Sequence, residues 1–593
     1  MASNKSSAKT ELLSGGDMLI RALQEMEVDY IFGYPGGSAL HIYDAIFRQT
    51  GIEHVLVRHE QAATHMADAY ARATGKVGVV LVTSGPGATN AITGIATAHM
   101  DSIPMIVISG QVPSPLIGTD AFQETDMIGI SRPVVKHSFL ISECGEIPSV
   151  VKKAFHIACS GRPGPVVIDV PKDTTDPAIK AKYDFPKSIT LRSYSPPVRG
   201  SSGQIRKAAE ILMDAKRPVI YAGGGVIQGE ASQLLTRLAK ALHFPVTNTL
   251  MGLGAYPGDD PQFLGMLGMH GTYEANMAMH KADTILALGA RFDDRITNEP
   301  ALFCPGSTII HVDVDPASIS KIIKADVPIV GEVKNVLEEL CPLLEDEIEK
   351  NPERVDTTSV DKWWAEIADW KNLHGLDHNL VLDVDKPILP QTVIKALYKV
   401  TKGDAYVTSD VGQHQMFVAQ YYKFDKPRRW INSGGLGTMG FGFPAAMGVQ
   451  VANREAVVVC VTGEGSFMMN MQELSTCLQY ALPVKIINLN NQALGMVKQW
   501  QDMQYEGRHS QSTYSDSLPD FKSLVESFGH IGLKVESPGD LESTLTYAFS
   551  DELRDKTVFV DVWVDPDEHV YPMAIKGGSM GDMYLSKTKS SRN

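Results

Sequence analysis

The chain has 593 residues, which is too long for one hydrophobic core and predicts three or four domains. Its 44% hydrophobic and 21% charged residues are typical of an ordinary globular protein. A net charge of −15 without a basic block argues against nucleic acid and anionic membranes as partners, and no apolar run approaches the ~20 residues that a membrane span needs. The six cysteines form no CxxC pair, which argues against zinc and a disulfide framework and favours a cytoplasmic location.

The first ten residues resemble neither a signal peptide nor a transit segment and are expected to form a disordered tail. After them one pattern repeats along the chain: a short β-branched run ends in Gly, Asp, Ser or Pro and a helix-compatible stretch follows. The runs are "VGVVLVTSGPG", "PMIVISGQ", "GPVVIDVPKD", "RPVIYAGGGV", "DTILALGARFDD", "STIIHVDVDP", "DAYVTSDVGQ", "PVKIINLNNQ" and "TVFVDVWVDP". This alternation predicts an α/β protein with doubly wound, mainly parallel sheets, and ligands beyond the carboxyl ends of the strands.

Two stretches interrupt the pattern and divide the chain. The run "SITLRSYSPPVRGSSG" is rich in Ser, Pro and Gly and is typical of a linker. A charged stretch with three tryptophans, residues 345–378, predicts a helical connector. No internal repeat is legible, although the first and third domains could share a fold. The predicted parts are a tail (1–10), a domain (11–185), a linker (186–203), a second domain (204–345), a connector (346–384), a third domain (385–565) and a C-terminal tail (566–593).

The stretch "VVVCVTGEGSFMMNMQEL" places a carboxylate, Glu464, between two glycines at the end of a strand. A turn needs the glycines but no acid, so a solvated turn is one interpretation. Asn491, 27 residues later, again follows a strand, and neighbouring parallel strands would bring both side chains to one edge of the sheet. Mg²⁺ prefers such oxygen ligands and is usually shared with phosphates, which backbone N–H groups of the glycines can approach.

This combination resembles the signature of thiamine-diphosphate (ThDP) enzymes, which is Gly-Asp-Gly followed after roughly two dozen residues by Asn-Asn. The motifs "FGYPGGSALHIYDA", "RHEQAATHMADAYARATGKVGVVLVTSGPGATN", "GTDAFQETD", "GARFDDRIT", "SGGLGTMGFGFPAAMG" and "GEGSFMMNMQELSTCLQYALPVKIINLNNQALGMVKQWQDMQY" are similar, in content and order, to acetohydroxyacid synthase (acetolactate synthase) catalytic subunits. One departure is Glu464, where the family usually has Asp. The extra methylene moves the carboxylate by about one C–C bond, and Mg²⁺ tolerates little distortion.

The resemblance implies the ThDP-enzyme fold: a first domain for the pyrimidine of ThDP, a central domain for FAD, a third domain for diphosphate and Mg²⁺, and a C-terminal tail at the active site. It implies that Glu60 hydrogen-bonds the far ring nitrogen of the aminopyrimidine, so that the cofactor removes its own thiazolium proton. Taken alone, Glu60 fits an ordinary acid at a helix N-terminus. The residues implied to line the channel to the reactive carbon are Gly37, Phe122, Gln123 and Lys172.

Arg295 and Trp500 match the family residues that hold and select the second substrate, because a guanidinium can bind a 2-oxoacid carboxylate and an indole can favour an ethyl over a methyl group. The alternative for Arg295 is an ion pair with Asp293 or Asp294. The implied metal ligands are Glu464, Asn491 and the carbonyl of Ala493. The implied ThDP-binding residues are Gln413, His414, Gly437, Met439, Gly465 and Ser466, with Met439 between the two rings.

The central domain lacks a GxGxxG fingerprint, so its FAD assignment is implied by the resemblance alone. The implied FAD-binding residues are Arg162 from the first domain and Gly224, Gly225, Thr249, Leu250, Leu267, Gly268, Met269, His270, Gly289, Ala290, Arg291, Asp293, Arg295, Asp313, Val314, Glu332 and Val333. The overall reaction needs no net redox, so the flavin is expected to be structural.

The implied activity is that of acetolactate synthase. Pyruvate is decarboxylated on ThDP, and the two-carbon unit is joined to pyruvate or 2-oxobutyrate, giving 2-acetolactate or 2-aceto-2-hydroxybutyrate for valine, leucine and isoleucine synthesis. The implied assembly is a homodimer or homotetramer with shared active sites, and a small regulatory subunit is a further candidate partner. Two alternatives remain open: a ThDP enzyme of the pyruvate oxidase or decarboxylase type, and a non-catalytic paralogue.

Overall fold

The computed structural model describes residues 11–354, 356–377, 380 and 385–591. The predicted tail (1–10), part of the predicted connector and the last two residues therefore lie outside the described residues. In the described parts, three six-stranded sheets are all parallel. The predicted α/β class with doubly wound parallel sheets is confirmed. None of the helices within the described ranges is long and apolar enough to cross a membrane.

The first sheet and its helices lie between residues 12 and 182. Strand β4 shows why the sequence forms them, since all five residues of "GVVLV" are buried and helices cover both faces. The elements are β1 (Leu12–Ser14), α1 (Gly15–Glu25), β2 (Tyr30–Gly33), α2 (Leu40–Phe47), β3 (Glu53–Leu56), α3 (Glu60–Thr74), β4 (Gly78–Val82), α4 (Pro86–Asn90), α5 (Ile92–Asp101), β5 (Met105–Gln111), α6 (Met127–Ser131), β6 (His137–Leu140), α7 (Ile147–Cys159), β7 (Pro165–Pro171) and β8 (Lys180–Lys182).

The central sheet follows a segment without helix or strand between residues 183 and 201. Its elements are α8 (Ser202–Met213), β9 (Pro218–Ala222), α9 (Gly224–Gln228), α10 (Ser232–Leu242), β10 (Val246–Asn248), β11 (Phe263–Met266), α11 (Tyr273–Lys281), β12 (Thr284–Leu288), α12 (Asp294–Thr297), β13 (Thr308–Asp313), β14 (Val327–Val330) and α13 (Val333–Lys350). Helix α14 (Thr357–His374) follows. It packs on this domain, because the indole of the buried Trp363 donates to the carbonyl of Pro218 at 3.1 Å.

The third sheet and the C-terminal tail complete the chain. The elements are α15 (Pro390–Thr401), β15 (Tyr406–Ser409), α16 (Gln413–Tyr421), β16 (Trp430–Asn432), α17 (Gly442–Ala452), β17 (Val458–Thr462), α18 (Glu464–Met468), α19 (Leu474–Tyr480), β18 (Lys485–Asn490), α20 (Gly495–Gln504), α21 (Phe521–Ser527), β19 (Ile531–Val535), α22 (Pro538–Ala548), β20 (Val558–Trp563), β21 (Met573–Ala574), β22 (Met583–Ser586) and β23 (Lys589–Ser590). The nine runs predicted as strands are β4, β5, β7, β9, β12, β13, β15, β18 and β20, and all nine are confirmed.

The outer two sheets share one topology. Their strand orders are β3-β2-β4-β5-β7-β6 and β16-β15-β17-β18-β20-β19, so the idea that the first and third domains share a fold is confirmed. The central order, β11-β10-β9-β12-β13-β14, is the doubly wound order common in dinucleotide-binding domains. In each sheet, successive strands are added on one side of the strand that comes first in the chain and then on its other side. Ligands of such sheets bind at this switch point, beyond the carboxyl ends of the two adjacent strands. These switch points lie between β2 and β4, between β9 and β12, and between β15 and β17.

The first and third domains pack on each other through α3 and α17. One apolar cluster, which includes Met66 and Phe441, spans both domains. The helices cross closely at Gly448, where a Cβ atom would lie 2.2 Å from the carbonyl oxygen of Met66. The tail docks on the central domain, since the backbone N–H of Ala574 donates to the carbonyl of Met269 at 2.7 Å.

Candidate active site

Glu464 lies at the switch point of the third sheet, in the first turn of α18 directly after β17. One carboxylate oxygen, Oε1, accepts the backbone N–H of Ala493 at 2.7 Å. The same N–H lies 3.1 Å from Oδ1 of Asn491, which follows the neighbouring strand β18. The three residues predicted as metal ligands are therefore adjacent, as expected for the ends of neighbouring parallel strands.

The environment of Glu464 fits a cation. The residue is 1% exposed, and burial raises the pKa of its carboxyl to about 8, against the opposing effect of the Ala493 N–H. A buried carboxylate is costly unless a positive charge or several donors accompany it. A carboxylate, an amide oxygen and a backbone carbonyl are the hard oxygen donors that Mg²⁺ prefers. A solvated turn, the alternative interpretation, would leave this side chain in water.

A cavity of about 100 Å³ adjoins these residues. His414 lies on it, and burial lowers the pKa of this imidazole to about 3, so the ring is neutral. Its buried Nε2 has no hydrogen-bond partner among the residues that the structure describes, so it is free to interact with a ligand in this cavity. Position 465 needs glycine because Tyr514 lies close to it: a Cβ there would be 2.0 Å from the hydroxyl oxygen of Tyr514. The predicted residues lining this cavity are Gln413, His414, Met439, Glu464, Gly465, Ser466, Asn491 and Ala493.

Gln413 connects the predicted metal ligand Asn491 to the C-terminal tail through hydrogen bonds. Its Oε1 accepts from Nδ2 of Asn491 at 3.1 Å, and its Nε2 donates to Oε1 of Gln499 at 2.9 Å and to the carbonyl of Glu568 at 3.1 Å. Gln499 in turn exchanges hydrogen bonds with the backbone of Val570. Sequence reasoning missed Gln499, because a polar residue on a helix gives no sign that it will be fully buried.

A larger cavity, of about 900 Å³, lies at the switch point of the central sheet. The loops that follow β9 and β12 pass close to each other there. A Cβ on Gly225 would lie 2.7 Å from Cα of Gly289, so the approach needs glycine, and Gly289 has a positive φ of +56°. Buried polar atoms of Thr249, His270 and Asp293 have no partner among the described residues, which fits a polar ligand such as a dinucleotide.

The predicted FAD-binding residues lie together with one exception. Gly268 does not line the cavity, and its φ of +100° and its contact with the Arg295 carbonyl mark it as a turn residue. The predicted residues that line the cavity are Arg162, Gly224, Gly225, Thr249, Leu250, Leu267, Met269, His270, Gly289, Ala290, Arg291, Asp293, Arg295, Asp313, Val314, Glu332 and Val333, together with Gly437, Met439 and Trp500.

The two cavities share one wall. Five residues, Val411, Gly412, Met439, Met496 and Val497, line both. Arg295 and Trp500 lie on the larger cavity. The alternative for Arg295 is also present, since its Nε lies 3.5 Å from the carboxylate of Asp294, but both side chains are well exposed and such pairs contribute little.

Glu60 is the first residue of α3 and is buried. Its Oε2 accepts from Nδ2 of Asn90 at 2.9 Å. A Cβ on Gly87 would lie 3.3 Å from Oε1, so glycine leaves this second oxygen accessible. An acid that only favours the helix dipole would be exposed. Sequence reasoning missed Asn90, although a polar residue after β4 in "GPGATN" was a usable signal.

The predicted catalytic and channel residues of the first domain lie outside the lining of both cavities. Gly37 has no atom within 4 Å of a Cβ built on it, and the side chain of Phe122 is 88% exposed. Gln123 has a φ of +61° and packs on Gly85. None of the five predicted first-domain residues, Gly37, Glu60, Phe122, Gln123 and Lys172, lines either cavity.

Comparison with known families gives matches along most of the chain. The N-terminal TPP binding domain of thiamine pyrophosphate enzymes (thiamine pyrophosphate is another name for ThDP) matches residues 13–130. The central domain of these enzymes matches residues 205–340, and their C-terminal TPP binding domain matches residues 410–562.

Individual relatives extend over nearly the whole chain. The acetolactate synthase large subunit of Haemophilus influenzae is 60% identical over 581 residues, which cover 98% of this chain and 100% of the relative. The large subunit of acetolactate synthase isozyme 3 of Escherichia coli is 59% identical over 579 residues, with 98% and 100% coverage. The acetolactate synthase of Mycobacterium leprae is 45% identical over 581 residues, with 97% and 91% coverage. The chain therefore belongs to the acetolactate synthase large-subunit family of thiamine pyrophosphate enzymes.

Proposed function

We propose that the chain is the catalytic subunit of an acetolactate synthase, which decarboxylates pyruvate and transfers the remaining two-carbon unit to pyruvate or 2-oxobutyrate. The products are 2-acetolactate and 2-aceto-2-hydroxybutyrate, precursors of valine, leucine and isoleucine. The observation that carries the proposal is the contact of the buried Glu464 and Ala493 with Asn491 at the carboxyl ends of β17 and β18, in a chain 60% identical to an acetolactate synthase large subunit.

We propose that Glu464, Asn491 and the carbonyl of Ala493 hold Mg²⁺, which ties the diphosphate of ThDP to the smaller cavity. The position of His414 on this cavity, with a buried Nε2 that has no partner among the described residues, supports a role in contacting the bound cofactor. ThDP held there would supply a thiazolium carbon as the electron sink for decarboxylation. The chain positions this carbon through Gln413, Gly437, Met439, Gly465 and Ser466.

Glu60 would hold or release a proton at its free oxygen Oε1, while Asn90 fixes Oε2. Arg295 would bind the carboxylate of the second 2-oxoacid, and the Trp500 indole would contact its alkyl group. An apolar contact of that kind discriminates by about the free energy of one CH₂ group, roughly 0.8 kcal/mol or more. The remaining channel residues would be Gly37, Phe122, Gln123 and Lys172.

The larger cavity would hold FAD, and its switch-point position and the crossing glycine loops support this. The flavin would be structural, because the reaction as written balances without an oxidant or reductant.

We further propose that each active site forms between two chains, in a homodimer or homotetramer. Gly37, Glu60, Phe122, Gln123 and Lys172 line neither cavity, which supports this, as do the exposed apolar side chains of Leu116 (45%), Ile117 (38%) and Phe122 (88%) in the same domain. The relatives named as large subunits support a small regulatory subunit as a partner. A cytoplasmic location is supported by all six cysteines being free thiols.

Product analysis tests the proposal. The purified chain is incubated with carbon-13-labelled pyruvate, ThDP, Mg²⁺ and FAD, and products are followed by NMR, with Glu464→Gln as the control. Acetolactate formed by the wild type and lost in the variant is the expected result. Acetaldehyde alone would indicate a decarboxylase, and acetate with peroxide an oxidase. Absence of turnover together with absence of ThDP binding would indicate a non-catalytic paralogue.

A further inference from the structure

Residues Met100, Asp101 and Ser102, here called the 100–102 segment, end helix α5 and border the larger cavity. The carbonyl of Met100 accepts from Nη1 of Arg291 at 2.7 Å, and Oγ of Ser102 accepts from Nε of Arg162 at 2.7 Å. Both guanidiniums line this cavity. The segment is therefore in direct contact with two of the cationic side chains that line the larger cavity.

The carboxylate of Asp101 points toward the third domain. Its Oδ1 accepts the backbone N–H of Gly435 at 2.7 Å, and its Oδ2 accepts that of Gly434 at 3.1 Å and Nη2 of Arg72 at 2.9 Å. The Asp101 side chain is 0% exposed. A Cβ on Gly435 would lie 2.7 Å from Oδ1, so the approach requires glycine there.

Gly434 and Gly435 begin the loop of residues 433–440, here called the glycine loop. The loop carries Gly437, whose φ is +72°, and Met439, which lines both cavities. A carboxylate that accepts two backbone N–H groups makes strong, charge-assisted hydrogen bonds. Asp101 thus fixes the entry to the loop that contributes Met439 to the wall between the two cavities.

We propose that Asp101 is a positioning residue that couples the two cofactor sites, so that a dinucleotide in the larger cavity and ThDP in the smaller one tighten each other's binding. This inference rests on the proposed function. Within the part of the chain that the structure describes, the ion pairs of Arg162 and Arg291 are long, 3.7 Å to Asp315 and 3.8 Å to Asp293, and both side chains offer positive charge to a diphosphate. A ligand that orders them also orders the 100–102 segment, and through Asp101 the glycine loop. In this proposal a flavin that takes part in no redox step has the role of strengthening ThDP binding.

A merely structural brace is the rival explanation, because Asp68, Arg72 and Asp101 form a buried ion-pair cluster. A brace changes the stability of the fold but produces no linkage between two ligands. Linkage is reciprocal: if FAD changes the dissociation constant of ThDP by a factor α, ThDP must change that of FAD by the same factor. The factor α is therefore the measurement that separates the two roles.

The full-length chain, freed of cofactors by dialysis, is titrated with FAD by flavin fluorescence in the presence and absence of saturating ThDP and Mg²⁺. The converse titration of ThDP, with and without FAD, is followed by calorimetry. For the wild type we expect both cofactors to bind, with α of roughly 5-fold or more and equal in the two directions. In Asp101→Asn we expect α within about twofold of 1, because the amide NH₂ would face an N–H or guanidinium donor.

Two further variants support the test. Asp68→Asn is the matched control: it weakens the same buried cluster, in which Arg72 also binds Asp68 Oδ1, but leaves the Asp101 contacts with the glycine loop, so α should persist. Gly435→Ala perturbs the same contact from the side of the glycine loop and should bring α to about 1. If circular dichroism shows that Asp101→Asn does not fold, this variant provides the test.

Coupling that persists in a folded Asp101→Asn or Gly435→Ala protein would overturn the proposal. So would a wild-type chain that binds both cofactors with α equal to 1. Failure of the wild type to bind ThDP and Mg²⁺ at all would instead remove the proposed function, and with it the basis of this inference.

Discussion

Glu473 offers a sharp test of how the first and third domains are joined next to Glu60. It is fully buried, and Oε1 and Oε2 accept the backbone N–H of Arg58 at 3.0 and 3.2 Å, two residues before Glu60. The Thr476 hydroxyl donates to Oε2 at 2.7 Å. The replacement Glu473→Gln keeps the size of the side chain and an acceptor for Arg58, and removes only the titration.

Burial raises the pKa of the Glu473 carboxyl from 4.5 to about 7, with its hydrogen bonds acting against the shift. The difference, about 2.5 units at ~1.36 kcal/mol each, corresponds to about 3 kcal/mol. Because the folded chain holds this proton more tightly, the contribution is fully present below pH 4.5 and is lost as the pH rises through 7. Relative to the wild type, Glu473→Gln should therefore gain about 3 kcal/mol in unfolding free energy between pH 4.5 and 8.

Urea unfolding midpoints, measured by tryptophan fluorescence at pH 5, 6, 7 and 8, check this expectation. Glu345→Gln is the control, because that carboxylate is well exposed and Arg237 holds its pKa below the ordinary value, so it stays ionised over this range. Its midpoints should follow those of the wild type. Parallel curves for wild type and Glu473→Gln would refute the reasoning about this buried carboxyl.

Substitutions at three further positions test the proposed site. Glu60→Gln should bind ThDP nearly normally but lose at least ~10²-fold in kcat, and near-normal turnover would remove Glu60 from proton transfer. Glu464→Gln should weaken Mg²⁺ and ThDP binding together in titration calorimetry, whereas Glu464→Asp, the usual family residue, should retain activity; unchanged ThDP affinity in the Gln variant would favour the turn-only interpretation. Trp500→Leu should lower the preference for 2-oxobutyrate over pyruvate in a competition assay, and an unchanged product ratio would contradict the role of the indole.

The strands and the proximity of the predicted metal ligands could be predicted from the sequence, because both depend on local patterns. A continuous β-branched run forms a buried parallel strand, and neighbouring parallel strands bring their carboxyl ends together, as Glu464 and Asn491 show. The change from Asp to Glu needed the structure, which shows the longer side chain within 2.7 Å of the Ala493 N–H.

Contacts that depend on domain docking could not be predicted. Asp101 reaches Gly434 and Gly435 across more than three hundred residues, and Glu473 reaches Arg58 across 415. No periodicity encodes such pairs, because they arise from the packing of α3 on α17. Gly268 shows the converse: a glycine assigned to ligand binding by resemblance has a positive φ of +100°, which no motif in the sequence indicated, and its part in ligand binding stays a prediction.

Complementation in mixed dimers tests whether Glu60 and the metal cluster act in one active site built from two chains. Glu60→Gln and Asn491→Ala, each inactive alone, are co-expressed with different affinity tags, and acetolactate formation is measured. If each site takes Glu60 from one chain and Asn491 from the other, a mixed dimer has one site with both substitutions and one site with neither. Random assortment makes about half of the dimers mixed, so roughly a quarter of the wild-type activity should return. Background activity, with mixed dimers recovered by tandem purification, would contradict the shared site.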